Sequence, residues 1–257
     1  MELNLITSSL LKDYIRVAGK SPLETLDRLE RQEMAVDYFQ FYKAVSSVYS
    51  SKIEGEEIDF DSFFKHKFLS VPFKTDYTKK ADDLFAAYEF IDDQPLNFSN
   101  VQKAHAILSA NLLPASEQGR IRTNPMFVIG SNDQIEYVAA GPAIVKDEVE
   151  KLFTDIEHLR KLELNEYEVF YYAALIHLVF VKIHPFQDGN GRTARLMEKW
   201  FLWEKLGEKA VDVQLEKNYF LHLQDYYDNI KKLGLEYETL DYSKALDFLL
   251  MTVKGIG

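Results

Sequence analysis

EYEVFYYAALIHLVFVKIHPFQDGNGRTAR, residues 166–195, is the stretch that decides the fold. Its first part, residues 166–182, is apolar on nearly every side. A helix without a polar face belongs at the centre of a helical domain, covered all round by other elements. Pro185 disfavours helical geometry at His184, so the helix should end there. Gly189 and Gly191 let the backbone bend closely around a ligand, and the residues after Gly191 read as a new helix to about residue 206. Such a loop delivers backbone N–H groups at a helix N-terminus, which is a ready anion site.

Working outward, helical periodicity dominates the chain and predicts an all-α domain. Residues 35–54 carry Val36, Phe39, Ala44, Val45, Val48 and Tyr49 at helical spacing, and Gly55 follows as a C-terminal cap. Further helices are predicted over 81–91, 99–112, from Pro142 through Leu159, over 217–232 and over 242–253. Residues 120–138 break the pattern. Met126 to Ile129 reads as a short strand, residues 130–133 as a turn, and residues 135–138 as a second strand. A lone hairpin cannot hide both edges. It is either a simple surface hairpin or an edge that adds a strand from a partner.

The bulk composition narrows the function. The chain has 257 residues, 47% hydrophobic and 28% charged, with a formal charge of −11. That is an ordinary globular composition, and the acidic balance excludes non-specific nucleic-acid binding as the main role. With no cysteine, disulfides, thiolate metal sites and a Cys nucleophile are excluded. The start, Met1-Glu2-Leu3-Asn4, shows no secretory signal, and no apolar stretch is long enough to span a membrane, so a cytoplasmic protein is expected. Residues 217–257 are too short for a separate DNA-binding domain. Self-association is left open.

Residues 184–195 concentrate chemistry. Arg192 and Arg195 are three apart on one helix face, and a guanidinium fork suits phosphate oxygens. Asp188 beside a phosphate site makes sense with a cation between them, and Mg²⁺ prefers one carboxylate plus phosphate oxygens. Asn190 can donate an amide hydrogen bond to a phosphate. His184 has the one side chain here that titrates near neutrality, and is the candidate general base. Each residue also has a plain alternative: His184 or Asp188 as a helix cap, the arginines as solvated surface. His66, His105, His158, His177 and His222 show no ligand spacing with Asp188, which sets aside a metal-dependent hydrolase.

The segment His184-Pro185-Phe186-Gln187-Asp188-Gly189-Asn190-Gly191-Arg192-Thr193-Ala194-Arg195 resembles the signature of the Fic family, His-Pro-Phe-x-(Asp/Glu)-Gly-Asn-Gly-Arg-x-x-Arg, at every fixed position. His177, Phe180 and Ile183 ahead of it fit as well. The resemblance implies a Fic fold, a helical bundle with a small β-hairpin flap over the active site. It divides the chain into an N-terminal helical region (1–97), a core (98–206) and C-terminal helices (207–257). It implies an adenylyltransferase that moves AMP from ATP, with Mg²⁺, to a Tyr, Ser or Thr hydroxyl of a protein. His184 would be the base and Asp188 the Mg²⁺ ligand. Gly189, Asn190 and Gly191 would cradle phosphate oxygens, Arg192 and Arg195 would hold the β- and γ-phosphates, and Phe186 would fix the loop. Gly119, Arg122 and Met126, Phe127, Val128 and Ile129 resemble the family's target-binding flap; either Met126 or Phe127 could be its clamp. Tyr226-Tyr227 resembles a pair that lines the adenosine pocket in some relatives, with Gly234 where several carry Asn; two core aromatics is the other reading.

The first long helix ends oddly. Glu54 lies in its last turn, where the macrodipole disfavours an acid, and Ser50 sits four residues earlier on the same face. Ser50-Ser51-Lys52-Ile53-Glu54-Gly55 resembles the family's inhibitory motif, (Ser/Thr)-x-x-x-Glu-(Gly/Asn), whose Glu would pair with Arg195. Alternatives within the resemblance are AMP removal, with Glu54 positioning water, transfer of phosphate or phosphocholine, or a silent binding module.

Overall fold

The computed structural model describes residues 3–31, 33–73, 75–130 and 133–256. Helices α1 (Leu11–Ala18), α2 (Pro22–Asp27), α3 (Tyr38–Ile53), α4 (Phe60–Leu69), α5 (Thr75–Phe90) and α6 (Phe98–Leu108) precede a hairpin of β1 (Phe127–Ile129) and β2 (Ile135–Val138). After the hairpin come α7 (Val145–Lys161), α8 (Glu166–Ile183), α9 (Asn190–Leu206), α10 (Leu215–Leu221), α11 (Leu223–Lys231) and α12 (Leu246–Lys254). The chain is all-α with one small antiparallel hairpin among the described residues.

The apolar run becomes the central helix. Phe170, Tyr171, Ala173, Ala174, Ile176, Leu178 and Phe180 of α8 are fully buried, on every face of the helix. A capping box starts it, with Asn165 accepting from the Glu168 N–H and Glu168 reaching back to the Asn165 N–H. Helices α7, α9 and α12 pack against it, and α1 and α2 close its remaining side. The buried carboxylate of Asp155 ties down the N-terminal segment by accepting from the N–H groups of Asn4, Leu5 and Ile6.

Several boundaries differ from expectation for local reasons. The helix predicted over 99–112 stops at Leu108, where the Ser109 hydroxyl donates back to the His105 carbonyl. The helix predicted over 217–232 is two helices, broken at His222 with φ −119° and ψ 43°. The helix predicted from Pro142 starts at Val145, and the one predicted from residue 242 starts at Leu246 after a single 3₁₀ turn. The first strand begins at Phe127, leaving Met126 just outside it. Residues 131 and 132 of the predicted turn lie outside the described residues.

Helix α3 is held firmly on two sides. A second apolar cluster of Ala44, Val48, Phe63, Ala81 and Phe85 binds it to α4 and α5. On its other side the buried Glu216 accepts from Ser46 Oγ at 2.8 Å and from the Tyr88 hydroxyl at 2.6 Å. Both attachments aim its C-terminus, with Glu54 as C-cap, at the start of α9.

Candidate active site

Helix α8 ends at His184, which adopts the left-handed conformation with φ 53° and ψ 58°. Pro185 was expected to end the helix there, and it does, with the chain turning through a left-handed cap. That conformation costs a non-glycine residue ~1–2 kcal/mol, so it needs support. Arg122 supplies it. Its Nε donates to the His184 carbonyl at 2.7 Å, Nη2 to Ala140 at 2.6 Å and Ile183 at 3.3 Å, and Nη1 to Asn124 at 2.8 Å. Its backbone N–H donates to the Pro185 carbonyl. A cation on orphan carbonyls at a helix C-terminus is favourable twice over. Arg122→Met keeps the stem and strands these carbonyls. It is expected to lose on the order of 3 kcal/mol, read as a Tm drop of roughly 5–10 °C; an unchanged Tm would contradict this role.

The His184 ring has a defined tautomer. Nδ1 lies 3.0 Å from the Val181 carbonyl, which can only accept, so Nδ1 carries the proton and Nε2 is free to take one. Burial pushes the imidazole below its ordinary value, against the raising effects of Val181, Glu54 and Asp188, so it is neutral at neutral pH.

The loop after His184 is closed from inside. Asn190 accepts from the Phe186 N–H and donates to the Phe186 carbonyl, both at 2.8 Å. Its amide therefore clasps the loop from one side. Phe186 is fully buried and stacks on His105, ring centres 3.7 Å apart. His105 also accepts the Gly119 N–H on Nδ1 and donates from Nε2 to the Asp188 carbonyl at 2.9 Å. Gly119 has φ 68°, and a Cβ there would sit 2.4 Å from the Gln102 carbonyl oxygen. His105 is a fully buried core residue, and it is the post on which the loop rests.

Burial lowers His105 to about 4 from the ordinary 6.5. Between those values the unfolded chain binds the extra proton and the folded chain does not. Stability is therefore full above pH 6.5 and falls as pH drops toward 4, by on the order of 3 kcal/mol for this group. His177 and His184 are lowered too, in the same direction. Thermal melts should show a lower Tm at pH 4.5 than at pH 7, and a flat profile would refute this reading of the buried imidazoles.

Next comes the start of α9. Gly189 is its N-cap with φ 75°, and offers no side-chain cap. The Gly189 N–H is taken by Asp188 Oδ1 at 2.6 Å. The donors without an intrahelical acceptor are those of Asn190, Gly191 and Arg192, which shifts the expected cradle one residue along. Arg192 and Arg195 are 3% and 1% exposed, so neither is a solvated surface arginine. Arg192 Nε has no hydrogen-bond partner, and Nη2 reaches only Glu56 Oε1, at 3.4 Å, which Lys80 holds from the other side. A buried guanidinium left this unsatisfied fits an anionic ligand.

Arg195 is engaged from α3. Nη2 meets Glu54 Oε1 at 2.6 Å and the Ser50 carbonyl at 3.1 Å, and Nε donates to Ser50 Oγ at 2.9 Å. A Cβ on Gly191 would lie 2.6 Å from Glu54 Oε1, so the carboxylate sits over the first turn of α9. That placement resolves the odd helix end. Glu54 is unfavourable for the dipole of α3 and favourable for that of α9. Burial would raise its carboxyl, but Arg195 and Arg192 carry it below the ordinary range.

His184, Asn190, Gly191, Arg195 and Glu54 line one cavity of about 540 Å³, together with Asp188, the flap residues Met126 to Gly130, and Tyr226 and Tyr227. The Asp188 side chain is exposed, and its Oδ2 accepts no hydrogen bond from a described residue. No group of three or more metal-ligating side chains occurs among the described residues, so a cation here would need oxygens from a ligand. In the flap, β1 pairs with β2 through Phe127↔Val138, Val128↔Tyr137 and Ile129↔Ile135. The far edge of β2 is covered, since the Val138 N–H donates to the Leu235 carbonyl at 2.8 Å. Phe127 and Ile129 on β1 are 46% and 55% exposed. Tyr227 donates to the Ile53 carbonyl at the end of α3. Tyr226 is 1% exposed, with its hydroxyl beside Arg195 and His177, so it stands in the wall rather than offering a stacking face. Gly234 has φ 136°, a conformation that would strain an asparagine at this position.

Residues 95–202 match the profile of the Fic/DOC family. This chain carries a Fic domain. It is 42% identical over 60 residues to protein adenylyltransferase Fic of Aedes aegypti, covering 23% of this chain and 11% of that protein. It is 35% identical over 89 residues to a uridine 5'-monophosphate transferase of Xanthomonas campestris pv. campestris (strain 8004), covering 33% of this chain and 16% of that one. The matched segments thus span under a fifth of either relative. A Fic family protein from Desulfovibrio desulfuricans G20 shares the fold with a TM-score of 0.77 at 18% identity, over 99% of this chain and 74% of the other. In this Fic domain no described helix is long and apolar enough to cross a membrane.

Proposed function

We propose that this chain transfers AMP from ATP, with Mg²⁺, to a Tyr, Ser or Thr hydroxyl of a target protein, and that Glu54 restrains the reaction. One observation carries most of this reading. A neutral imidazole with a free Nε2 lines the same cavity as an anion site built from the start of α9 and Arg195. The similarity to protein adenylyltransferases gives the direction of the chemistry.

In this reading the target hydroxyl gives its proton to His184 Nε2. Its oxygen bonds to the α-phosphorus as the bond to the bridging oxygen breaks, and pyrophosphate leaves. Asn190, Gly191 and Arg192 offer N–H donors, and both guanidiniums take the charge of the departing phosphates. Asp188 would hold Mg²⁺ together with phosphate oxygens, and the ion would neutralise charge on the leaving group. The open edge of β1 is where an extended target segment would pair, with Phe127 and Ile129 contributing apolar contacts. Glu54 occupies the charge that a terminal phosphate needs. Cytoplasmic ATP and protein targets are the setting assumed.

The similarity to a uridine 5'-monophosphate transferase favours one second reading, UMP transfer from UTP. Glu54→Gly incubated with a cell lysate and ATP labelled at the α- or the γ-phosphate, or with α-labelled UTP, separates them. Protein label from α-labelled ATP alone is expected. Label from the γ position would mean phosphate transfer, preference for UTP would mean UMP transfer, and no label with any donor would defeat the enzyme reading.

A further inference from the structure

Arg195 is held from two sides. Ser50 and Glu54 reach it from α3. From the other side Tyr226 reaches it, its hydroxyl accepting from Arg195 Nη1 at 3.3 Å. Tyr226 is the first member of a buried polar chain that the transfer reaction itself does not touch. His177 Nε2 lies 3.0 Å from the Tyr226 hydroxyl, and His177 Nδ1 lies 2.6 Å from Glu198 Oε2. Glu198 also accepts from the Tyr219 hydroxyl and from Thr252 Oγ1. Glu198, His177, Tyr219 and Thr252 are fully buried and Tyr226 is 1% exposed, so each hydrogen bond lacks competition from water.

The proton positions in this chain follow from its end. Glu198 accepts from every neighbour it meets, so His177 donates to it from Nδ1 and, kept neutral by burial, has a bare Nε2. The bare Nε2 requires the Tyr226 O–H to point at His177. The Tyr226 oxygen then turns its lone pairs toward the Arg195 guanidinium. Glu198 lies one turn beyond Arg195 on α9, so the chain leaves that helix through α8 and α11 and returns to it.

We infer that Glu198, His177 and Tyr226 form a positioning relay that keeps Arg195 aligned for a terminal phosphate, independently of α3. This rests on the proposed role of Arg195 in binding nucleotide phosphates. The physical reason is side-chain entropy. When Glu54 lets go, a long guanidinium side chain regains rotamer freedom unless something else fixes it. Of its side-chain partners among the described residues, Tyr226 is the one that does not ride on α3.

The test is calorimetry of ATP, ADP and AMP with Mg²⁺ on Glu54→Gly, alone and combined with Tyr226→Phe or Glu198→Gln. Tyr226→Phe keeps the ring and its packing; Glu198→Gln keeps the volume but cannot accept from all its donors. Each is expected to weaken ATP about 3–10-fold while leaving AMP unchanged, since a single long hydrogen bond, here 3.3 Å, contributes about that much. A merely structural role would weaken all three nucleotides together, and that result overturns the relay, as does no change for any. If Glu54→Gly itself binds ATP no better than AMP, the phosphate reading of Arg195 fails and takes the relay with it.

Discussion

Glu54→Gly is expected to raise AMP transfer about thirty-fold over the unaltered chain. The carboxylate meets Arg195 at 2.6 Å and lies over the first turn of α9, where a terminal phosphate would go. Both anions compete for one guanidinium. The Arg195 side chain is 1% exposed and that of Glu54 is 29% exposed, so the pair ranks between surface and buried ion pairs. About 2 kcal/mol is a fair magnitude, which leaves a few per cent of molecules open to productive ATP. The substitution itself is mild for the backbone, because Glu54 is already a helix C-cap beside Gly55. Intact-mass measurement of AMP adducts over time gives both rates. Equal rates would mean that the contact is structural and restrains nothing.

The second large effect is the loss expected for His184→Ala in the Glu54→Gly background. Removing a general base lowers the rate ~10²–10⁴-fold. In the proposed reading the phosphate contacts would come from α9 and its arginines, so ATP affinity should stay within a few-fold. That split distinguishes a base from a binding residue. Alanine at φ 53° is more strained than histidine, so His184→Asn, which tolerates the left-handed region, controls for local distortion. Comparable transfer by both variants and their parent would remove His184 from the chemistry.

Much of the site was legible because it is local. Residues 184–195 are contiguous, and their glycines, Pro185 and the helix after them constrain one another through bonds and near-neighbour sterics. Ser50 and Glu54 share a helix face at a spacing readable from the chain. His105 was not legible. Nothing in its neighbourhood marks it, since its partners Gly119, Phe186 and Asp188 come from distant segments. Glu56 was missed for a related reason. It lies just past the end of α3, and only the left-handed turn at Gly55 with φ 83° swings it toward Lys80 and Arg192. Tyr226 was placed near the nucleotide, but its role behind Arg195 needed the position of His177.

By itself the sequence determined the central helix, the glycine-rich loop that opens the next helix, the hairpin and the identity of the residues that carry charge. Those come from periodicity, turn chemistry and residue type, which act over a few residues. Tertiary structure decided which charges meet. Arg195 faces Glu54 because two separate contacts, an apolar cluster on one side and Glu216 on the other, fix the direction of α3. The Asn190 amide closes its loop because the buried Phe186 backbone needed a donor and an acceptor. Burial sets these outcomes, since an unpaired polar group away from water costs about as much as any single contact contributes, and the set of partners is known only once the helices have packed.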